Sequence, residues 1–240
     1  NVSVVLLVLL LATVIIPLIS AWSLPPVKTN LWGGLFLTFV IAGVGVVASL
    51  PLGVLLALGR RSSLLFIRAL VIAYIELLRS VPLITVLFMA VTMMPLFLPV
   101  DKNPDKLLLV LFAVVFFSSA YMAEVIRGGI QAVGSGQVEA ALSIGLGRWQ
   151  VMRLIVLPQA LQHMIPNIAS NFIGLLKDTT VVAIVGLYDF TRMLQVPSQT
   201  PTWIGLHIEL FVIGGTVYLL LCMSISRYSR RLERKLADKQ

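Results

Sequence analysis

Apolar residues fill most of this chain in long runs, and short polar or charged segments separate one run from the next. Several runs approach or exceed the roughly 20 residues that a helix needs to cross a bilayer. Alternating segments of about ten residues, which are typical of a membrane β-barrel, are absent from the sequence. The pattern therefore predicts an all-α fold, a polytopic membrane bundle of about six helices. The predicted spans are residues 2–22, 31–58, 80–100, 107–132, 161–190 and 203–226.

The first apolar run, residues 1–22, is predicted to form an additional transmembrane helix ahead of the main membrane domain at residues 31–236. A secretory signal peptide is the alternative, but the basic start that is usual in such peptides is missing. The chain begins with Asn1 instead of Met, which weakens this test of charge. We favour the retained helix.

Composition agrees with a membrane protein, since 59% of the 240 residues are hydrophobic and 12% are charged. Topology explains the net charge of +8, because Lys and Arg collect in the cytoplasmic loops of membrane proteins. Most of them fall in the predicted inward loops and the C-terminal tail, whereas Lys28, Lys102, Lys106 and Arg192 fall in outward loops. The segment at residues 134–158 and the C-terminus are therefore predicted to be cytoplasmic.

Side chains that would support catalysis or metal binding are scarce. The single cysteine, Cys222, lies in the last predicted span and allows no intrachain disulfide. His163 and His207 are far apart in the sequence and make no metal cluster. The Gly-x-x-x-x-Gly-Lys spacing of a phosphate-binding loop is absent, so any ATP hydrolysis must belong to another chain. We predict no catalytic residue, no metal, no bound cofactor and no nucleic-acid partner.

A long polar segment, residues 134–158, separates two of the predicted spans. It is far longer than the roughly 4 to 6 residues of most connections, and its pattern is ordered. A short helix is predicted over residues 137–144, with Glu139 near the positive end of the helix dipole. Ala140 and Ala141 give this helix a side with little steric bulk.

Gly145 and Gly147 then interrupt the helix, because glycine supplies the backbone freedom for a sharp turn. A second amphipathic helix, residues 148–157, is predicted to end at Pro158, which has no N–H to donate. The segment is thus predicted to be helix, bend and helix, which suits a docking surface. The alternative is an interfacial hairpin that only joins two spans.

These residues resemble the EAA motif of the membrane subunits of bacterial ATP-binding-cassette importers. The matching positions are Glu139, Ala140, Ala141, Gly145, Ile155, Leu157 and Pro158. The resemblance implies that the segment is cytoplasmic and that its first helix inserts into a groove on a separate ATPase subunit. It makes Glu139, Ala140, Ala141, Gly145, Leu157 and Pro158 the predicted ATPase-coupling residues.

A polar stripe is predicted in the helix at residues 161–190. Asn167, Asn171, Gly174 and Asp178 follow offsets that fall on one narrow face at about 100° per residue. A carboxylate in a membrane costs roughly 2.5 to 3.5 kcal/mol on insertion scales, so it should face the protein interior or a wet cavity. The predicted substrate path comprises Asn167, Asn171, Asp178 and the hydroxyls of Thr179 and Thr180. The alternative is a stripe that only holds helices together.

Acidic and basic residues recur three positions apart in two predicted helices. Glu76 and Arg79 share one face of a helix predicted over residues 64–98, where they could pair near the cytoplasmic interface. Glu124 and Arg127 repeat the arrangement. We interpret both mainly as packing ion pairs, and a direct role in transport is the alternative for each.

A second resemblance covers residues 31–235. The runs at residues 119–130, 157–160, 171–173 and 176–180 are similar to permeases of the histidine, glutamate, glutamine and arginine group. Asn171 departs from that group, where this position is commonly glutamate. An uncharged Asn171 puts specificity for cationic amino acids in doubt, and neutral, acidic or broad-range L-amino acids become the first hypothesis.

The resemblance implies the permease subunit of an importer in the bacterial inner membrane, with a five-helix core. It further implies alternating access, two cytoplasmic ATPase subunits that bind ATP and Mg²⁺, a second permease chain that is a non-identical paralogue, and a substrate-binding protein. Membrane lipid surrounds the helices. A secondary transporter or a channel-like protein without an ATPase partner is the alternative.

Overall fold

The structure is a computed structural model that describes residues 27–99 and 104–237. The predicted N-terminal helix at residues 1–22 lies outside the described residues, as does the first half of the predicted outward loop at 101–106. Residues 27–32 belong to a separate compact unit, in which Thr29–Leu31 form a single 3-10 turn. The second unit begins at Gly33 and contains the helices described below.

The first helices of this unit are one long helix and a bent pair. α1 is Gly34–Gly59, α2 is Leu65–Ser80, and α3 is Leu83–Phe88, which continues as a π-helical turn at Met89–Met93 and a 3-10 turn at Met94–Phe97. The continuous helix predicted over residues 64–98 is therefore wrong. Pro82 forces Val81 into extended backbone, with φ of −107° and ψ of 136°. The two halves meet at an angle of 105°.

The central helices follow in close succession. α4 is Lys106–Gln131, α5 is Ser135–Ser143, α6 is Arg148–Val151, and α7 is Leu157–Asp178. A π-helical turn at Met152–Val156 joins α6 to α7 without a break. Asp105 caps the start of α4, where its carboxylate accepts a hydrogen bond of 2.8 Å from the Leu107 N–H.

The helix predicted over residues 161–190 ends earlier than expected. After Asp178 the chain tightens into a 3-10 segment, Thr179–Val185, and it turns at Gly186, whose φ is +79°. The two-residue strand β1, Tyr188–Asp189, then forms parallel bridges to Gly33 and Gly34.

The predicted outward loop at residues 191–202 contains a helix. The buried carboxylate of Asp189 accepts hydrogen bonds of 3.0 Å from the N–H groups of Thr191 and Arg192, and this cap starts α8, Phe190–Gln195. The last helix, α9, is His207–Ala237. It continues past the predicted end at residue 226 and includes most of the basic tail.

In the described part of the chain, four helical segments are long and apolar enough to cross a membrane: Gly34–Gly59, Lys106–Gln131, Arg148–Val185 and His207–Leu236. The bent pair Leu65–Ser80 and Leu83–Phe97 would make a fifth span if it crosses as one. The fold is the predicted helical membrane bundle, and the four or five spans of residues 27–99 and 104–237 are consistent with a five-helix core.

The core of the bundle lies around α4. The apolar window of α4 is 61% buried, against 6% for α9, so α4 is the central helix and α9 a peripheral one. A Cβ on Gly53 of α1 would stand 2.7 Å from Met122 Cβ and 3.0 Å from the Ala123 backbone nitrogen in α4. Only glycine allows this approach. Ala57, Met122 and Met164 form a buried cluster that joins α1, α4 and α7.

Candidate functional site

The segment at residues 135–156 folds into a bent hairpin of two short helical arms, α5 and α6 with its π-helical turn. Gly145 has a φ of +86°, a conformation that favours glycine. Its N–H donates to the carbonyl of Leu142 over 3.0 Å, and the Leu146 N–H donates to the carbonyl of Ala141 over 3.2 Å. The predicted bend is confirmed, and Gly145 is the residue that makes it.

A small apolar core stiffens this hairpin. Ala141, Val151 and Val156 are buried against one another, and Val138 packs on them from the first arm. Gln150 closes the start of α6, where its side-chain oxygen accepts a hydrogen bond of 2.9 Å from the Gly147 N–H. The two arms are therefore one packed element.

The opposite face of the hairpin is exposed. Glu139, Ala140 and Gly145 lie at its surface. Ile144 and Trp149 beside them are 78% and 75% exposed, which is unusual for large apolar side chains on a charged loop. Ala141 differs from the sequence interpretation, because it is turned into the hairpin core and only Ala140 contributes to the outer face.

Leu157 and Pro158 do not end the second arm, so that prediction is wrong. The chain passes through the π-helical turn at Met152–Val156 directly into α7. Pro158 occupies the first turn of α7, where a missing N–H costs little. Because the backbone is helical throughout, a force on the hairpin would pass into α7 without an intervening loop.

Glu124 lies at the centre of a charged cluster just ahead of the hairpin. Its carboxylate accepts hydrogen bonds from Arg127 Nε over 2.9 Å and from Arg60 Nη1 over 3.2 Å, and Arg79 Nη1 is 3.8 Å away. Arg60 Nη2 also lies 3.5 Å from a carboxylate oxygen of Glu76. We name these five residues the Glu124 cluster.

The Glu124 cluster connects α1, α2 and α4. The predicted pairing of Glu124 with Arg127 is confirmed. Glu76 and Arg79 contact other helices rather than each other, with Arg60 and Glu124 as their partners. Sequence reasoning missed Arg60, because it lies 64 positions from Glu124 and no local spacing links them.

A cavity of about 210 Å³, which we name the polar cavity, lies between α1, α4 and α7. Asn171, Gly174 and Asp178 of the predicted stripe line it together. The Asn171 Nδ2 atom is buried and has no hydrogen-bond partner among the described residues. A buried amide that lacks a partner is costly unless a ligand or water completes it.

Other members of the predicted path do not line this cavity. The Asn167 side chain donates to the His163 carbonyl over 3.1 Å, and the buried Thr179 hydroxyl donates to the Leu176 carbonyl over 2.9 Å. Thr180 is also absent from the lining. The Asn167 amide and the Thr179 hydroxyl therefore bind carbonyl groups of the helix backbone and not the cavity.

The cavity also contains polar residues that the sequence did not single out. They are Ser49, Ser118, Tyr121 and Ser170. Ser118 and Tyr121 lie three positions apart on α4, which is one helical turn, but nothing in the sequence aligns that turn with Asn171. No group of three or more metal-binding side chains occurs in the described part of the chain.

A family model described as "Binding-protein-dependent transport system inner membrane component" matches residues 49–238. The chain is 47% identical over 229 residues to an inner membrane amino-acid ABC transporter permease of Escherichia coli K12, covering 92% of this chain and 62% of that protein. It is 47% identical over 215 residues to a glutamate/glutamine/aspartate/asparagine transport system permease of Rhodobacter capsulatus, covering 89% and 50%.

A glutamate/aspartate import permease of Escherichia coli O6:H1 is 34% identical over 220 residues, with 90% of this chain and 97% of that protein covered. A crystal structure of an amino acid ABC transporter with histidines matches with a TM-score of 0.76 at 31% identity, over 84% of this chain and 92% of the other.

The fold and the matched residues define an inner-membrane component of a transport system. The chain belongs to the family of binding-protein-dependent transport system inner membrane components. It spans 62% and 50% of the lengths of the first two relatives.

Proposed function

We propose that this chain is the permease subunit of an ATP-driven importer that carries neutral, acidic or broad-range L-amino acids across the bacterial inner membrane. The observation that carries the proposal is the bent hairpin, whose exposed face includes Glu139, Ala140 and Gly145 at the spacing of the EAA motif. Family membership supports it. The hydrolysis of ATP, with Mg²⁺, belongs to two separate cytoplasmic ATPase subunits, and this chain performs no catalysis.

The hairpin acts as a rigid lever between the ATPase and the bundle. Its own core of Ala141, Val151 and Val156 keeps the two arms together, so a partner that moves one arm moves both. α7 begins where the hairpin ends, and Asn171 and Asp178 lie on α7. Closure of the ATPases on ATP would therefore shift the polar cavity and the hairpin together, which is what alternating access requires.

The cavity suits an amino acid. Its volume of about 210 Å³ lies below the roughly 300–1,000 Å³ of pockets for larger ligands. The Asp178 carboxylate can accept hydrogen bonds from the ammonium group, and the Asn171 Nδ2 atom and nearby hydroxyls can donate to the carboxylate of the substrate. Asn167, Thr179 and Thr180 contribute by shaping α7 and its end.

The names of relatives support an acidic or amide substrate. One relative is named for glutamate, glutamine, aspartate and asparagine, another for glutamate and aspartate, and a third for glutamine. In this chain, Asn171 adds no second carboxylate to the cavity lining. A neutral amide position tolerates an acidic side chain, whereas a second carboxylate would repel it.

The remaining partners follow from the exposed surfaces and from charge. Only 6% of the apolar window of α9 is buried, which leaves an apolar face for lipid and for a second, non-identical permease chain. A substrate-binding protein would deliver the amino acid from outside. The basic residues of the C-terminal tail favour a cytoplasmic C-terminus, and the hairpin lies on the same side.

Uptake by reconstituted vesicles tests this function. The assembled transporter, with its ATPases and binding protein, should take up radiolabelled glutamate or glutamine only with internal ATP. Glu139→Lys should lower that uptake by about tenfold, because it reverses a charge on the exposed face of the lever. Glu233→Lys, an equal charge change on the exposed tail, is the matched control and should leave uptake unchanged. Equal uptake without any ATPase would instead assign a secondary transporter or a channel.

A further inference from the structure

Two adjoining cavities lie between the end of α1, the end of α4 and the hairpin. The smaller one has a volume of about 230 Å³, and the larger one has a volume of about 470 Å³. Arg61, Ile130 and Gln131 line both of them. We treat them together as the arginine cavity.

The charged residues that line the arginine cavity are all basic. Arg60, Arg61 and Arg127 line its smaller part, and Arg148 joins Arg61 in its larger part. None of the described lining residues carries a carboxylate. Four guanidinium groups therefore share a concave site, and their combined positive charge attracts an anion.

Two of these guanidinium groups have no partner among the residues that the structure describes. Arg60 and Arg127 are bound to Glu124, so their charge is partly satisfied. The side chains of Arg61 and Arg148 make no ion pair or hydrogen bond with any residue in the ranges 27–99 and 104–237. A guanidinium group binds phosphate with two parallel N–H groups, so this pair is suited to a phosphate ligand.

The other wall of the arginine cavity is apolar. Val138 and Leu142 of α5 face Val151 and Met152 of the second arm across its larger part, and Leu142 is 44% exposed. A soluble phosphate would leave this wall in contact with water. A ligand with a phosphate at one end and hydrocarbon at the other would cover both, and each CH₂ that it buries contributes about 0.8 kcal/mol.

We propose that the arginine cavity binds an anionic phospholipid from the cytoplasmic leaflet. The phosphate lies between Arg61 and Arg148, and an acyl chain lies along Val138 and Leu142. Basic pockets between membrane helices on the cytoplasmic side are suited to such headgroups. Arg61 follows the end of α1, and Arg148 is the first residue of α6. The bound lipid therefore connects the bundle to the hairpin and makes the hairpin more rigid.

Lipid retention by the purified full-length chain tests this site. Native mass spectrometry of the chain, after extraction into detergent and addition of phosphatidylglycerol or phosphatidylcholine, would count the lipids that remain bound. We expect phosphatidylglycerol to be retained in at least tenfold excess. The double variant Arg61→Gln with Arg148→Gln should lose this preference.

The matched control is the double variant Arg68→Gln with Arg153→Gln, which removes the same charge from exposed arginines outside the cavity lining. It should retain phosphatidylglycerol like the unmodified chain. Inorganic phosphate, added up to millimolar concentration, should displace little lipid, because it cannot cover the apolar wall.

Three results would overturn the proposal. The first is equal retention of phosphatidylglycerol by both double variants. The second is full displacement by inorganic phosphate, which would make this a site for a free anion. The third is a cavity variant that keeps its lipid but no longer binds the ATPase subunit, which would assign Arg61 and Arg148 to an acidic partner protein.

Discussion

At the scale of single residues, Glu124 links the ends of three helices through its one carboxylate. One carboxylate, with 21% of its side chain exposed, faces the guanidinium groups of Arg60, Arg79 and Arg127. Each contact alone would be a modest partly exposed ion pair. Together they hold the ends of α1, α2 and α4 in one arrangement, directly before the hairpin begins.

Removing this charge should destabilise the bundle. Glu124→Gln leaves three partly buried guanidinium groups near one another with only the more exposed Glu76 carboxylate beside them, at a cost of about 1–3 kcal/mol. For a domain of this size, that corresponds to a fall in Tm of roughly 2–10 °C, measured by thermal unfolding in detergent. Glu76→Gln is the control, since its side chain is 55% exposed and has a single contact of 3.5 Å. A fall of equal size in both variants would contradict a central role for Glu124.

Local spacing predicted part of this cluster. The three-residue interval places Glu124 and Arg127 on one helical face, and they do pair. The same interval failed for Glu76 and Arg79, because partners on other helices offered better geometry. A sequence reveals which residues share a face, but only the packed helices determine which charges meet across it.

At the scale of elements, two prolines explain two of the wrong helix boundaries, those of the helix predicted over residues 64–98 and of the second arm. Pro82 was included within a continuous helix, yet it breaks the chain because the residue before a proline avoids helical backbone. Pro158 was interpreted as a helix end, yet it lies in the first turn of α7. The effect of a proline depends on whether its missing N–H is needed at that position, and the sequence pattern did not resolve this.

The bend of the hairpin was predictable, since two glycines in three residues indicate a turn. The structure separates their roles. Gly145 has a φ of +86°, whereas Gly147 has a φ of −67°, which any residue adopts. The arginine cavity was not predictable, because its lining comes from the end of α1, the end of α4 and both arms of the hairpin.

This difference gives a prediction for the hairpin. Gly145→Ala should strain the bend by about 1–2 kcal/mol, because left-handed backbone disfavours a Cβ, even though a Cβ there would meet no described atom within 4 Å beyond its neighbours in the chain. ATP-driven uptake by the assembled transporter should fall, while the amount of protein in the membrane stays the same. Gly147→Ala should retain full uptake. A loss of uptake in both variants would show that the bend is not the sensitive feature.

At the scale of the whole molecule, the bundle joins two distant sites through continuous helix. The polar cavity lies between α1, α4 and α7, and the hairpin precedes α7 without a break. The membrane fold was predictable from the length of the apolar runs. The cavity was predictable in part, because Asn171 and Asp178 share a face of α7, whereas Ser118 and Tyr121 reach it from a different helix.

Removing the carboxylate in the cavity should weaken substrate handling. Asp178→Asn keeps the shape of the side chain but removes the charge that would bind the ammonium group of the proposed substrate, so KM for uptake should rise by about tenfold, or about 1.4 kcal/mol. Assembly with the ATPases should be normal. Glu209→Gln, which removes an equal charge at an exposed position of α9 outside the cavity lining, should leave KM unchanged. An unaltered KM in Asp178→Asn would make that residue a packing group.

The contact between hairpin and ATPase is the central claim. It is tested most directly by a photo-crosslinking amino acid at position 140 in the assembled transporter. Ala140 lies on the exposed face of α5, so irradiation should join this chain to the ATPase subunit. The same group at position 208, where Ile208 is 76% exposed near the other end of the bundle, should give no such product. The account would be contradicted if position 140 formed no crosslink to the ATPase, or if a reagent that cannot cross the membrane reached it from outside.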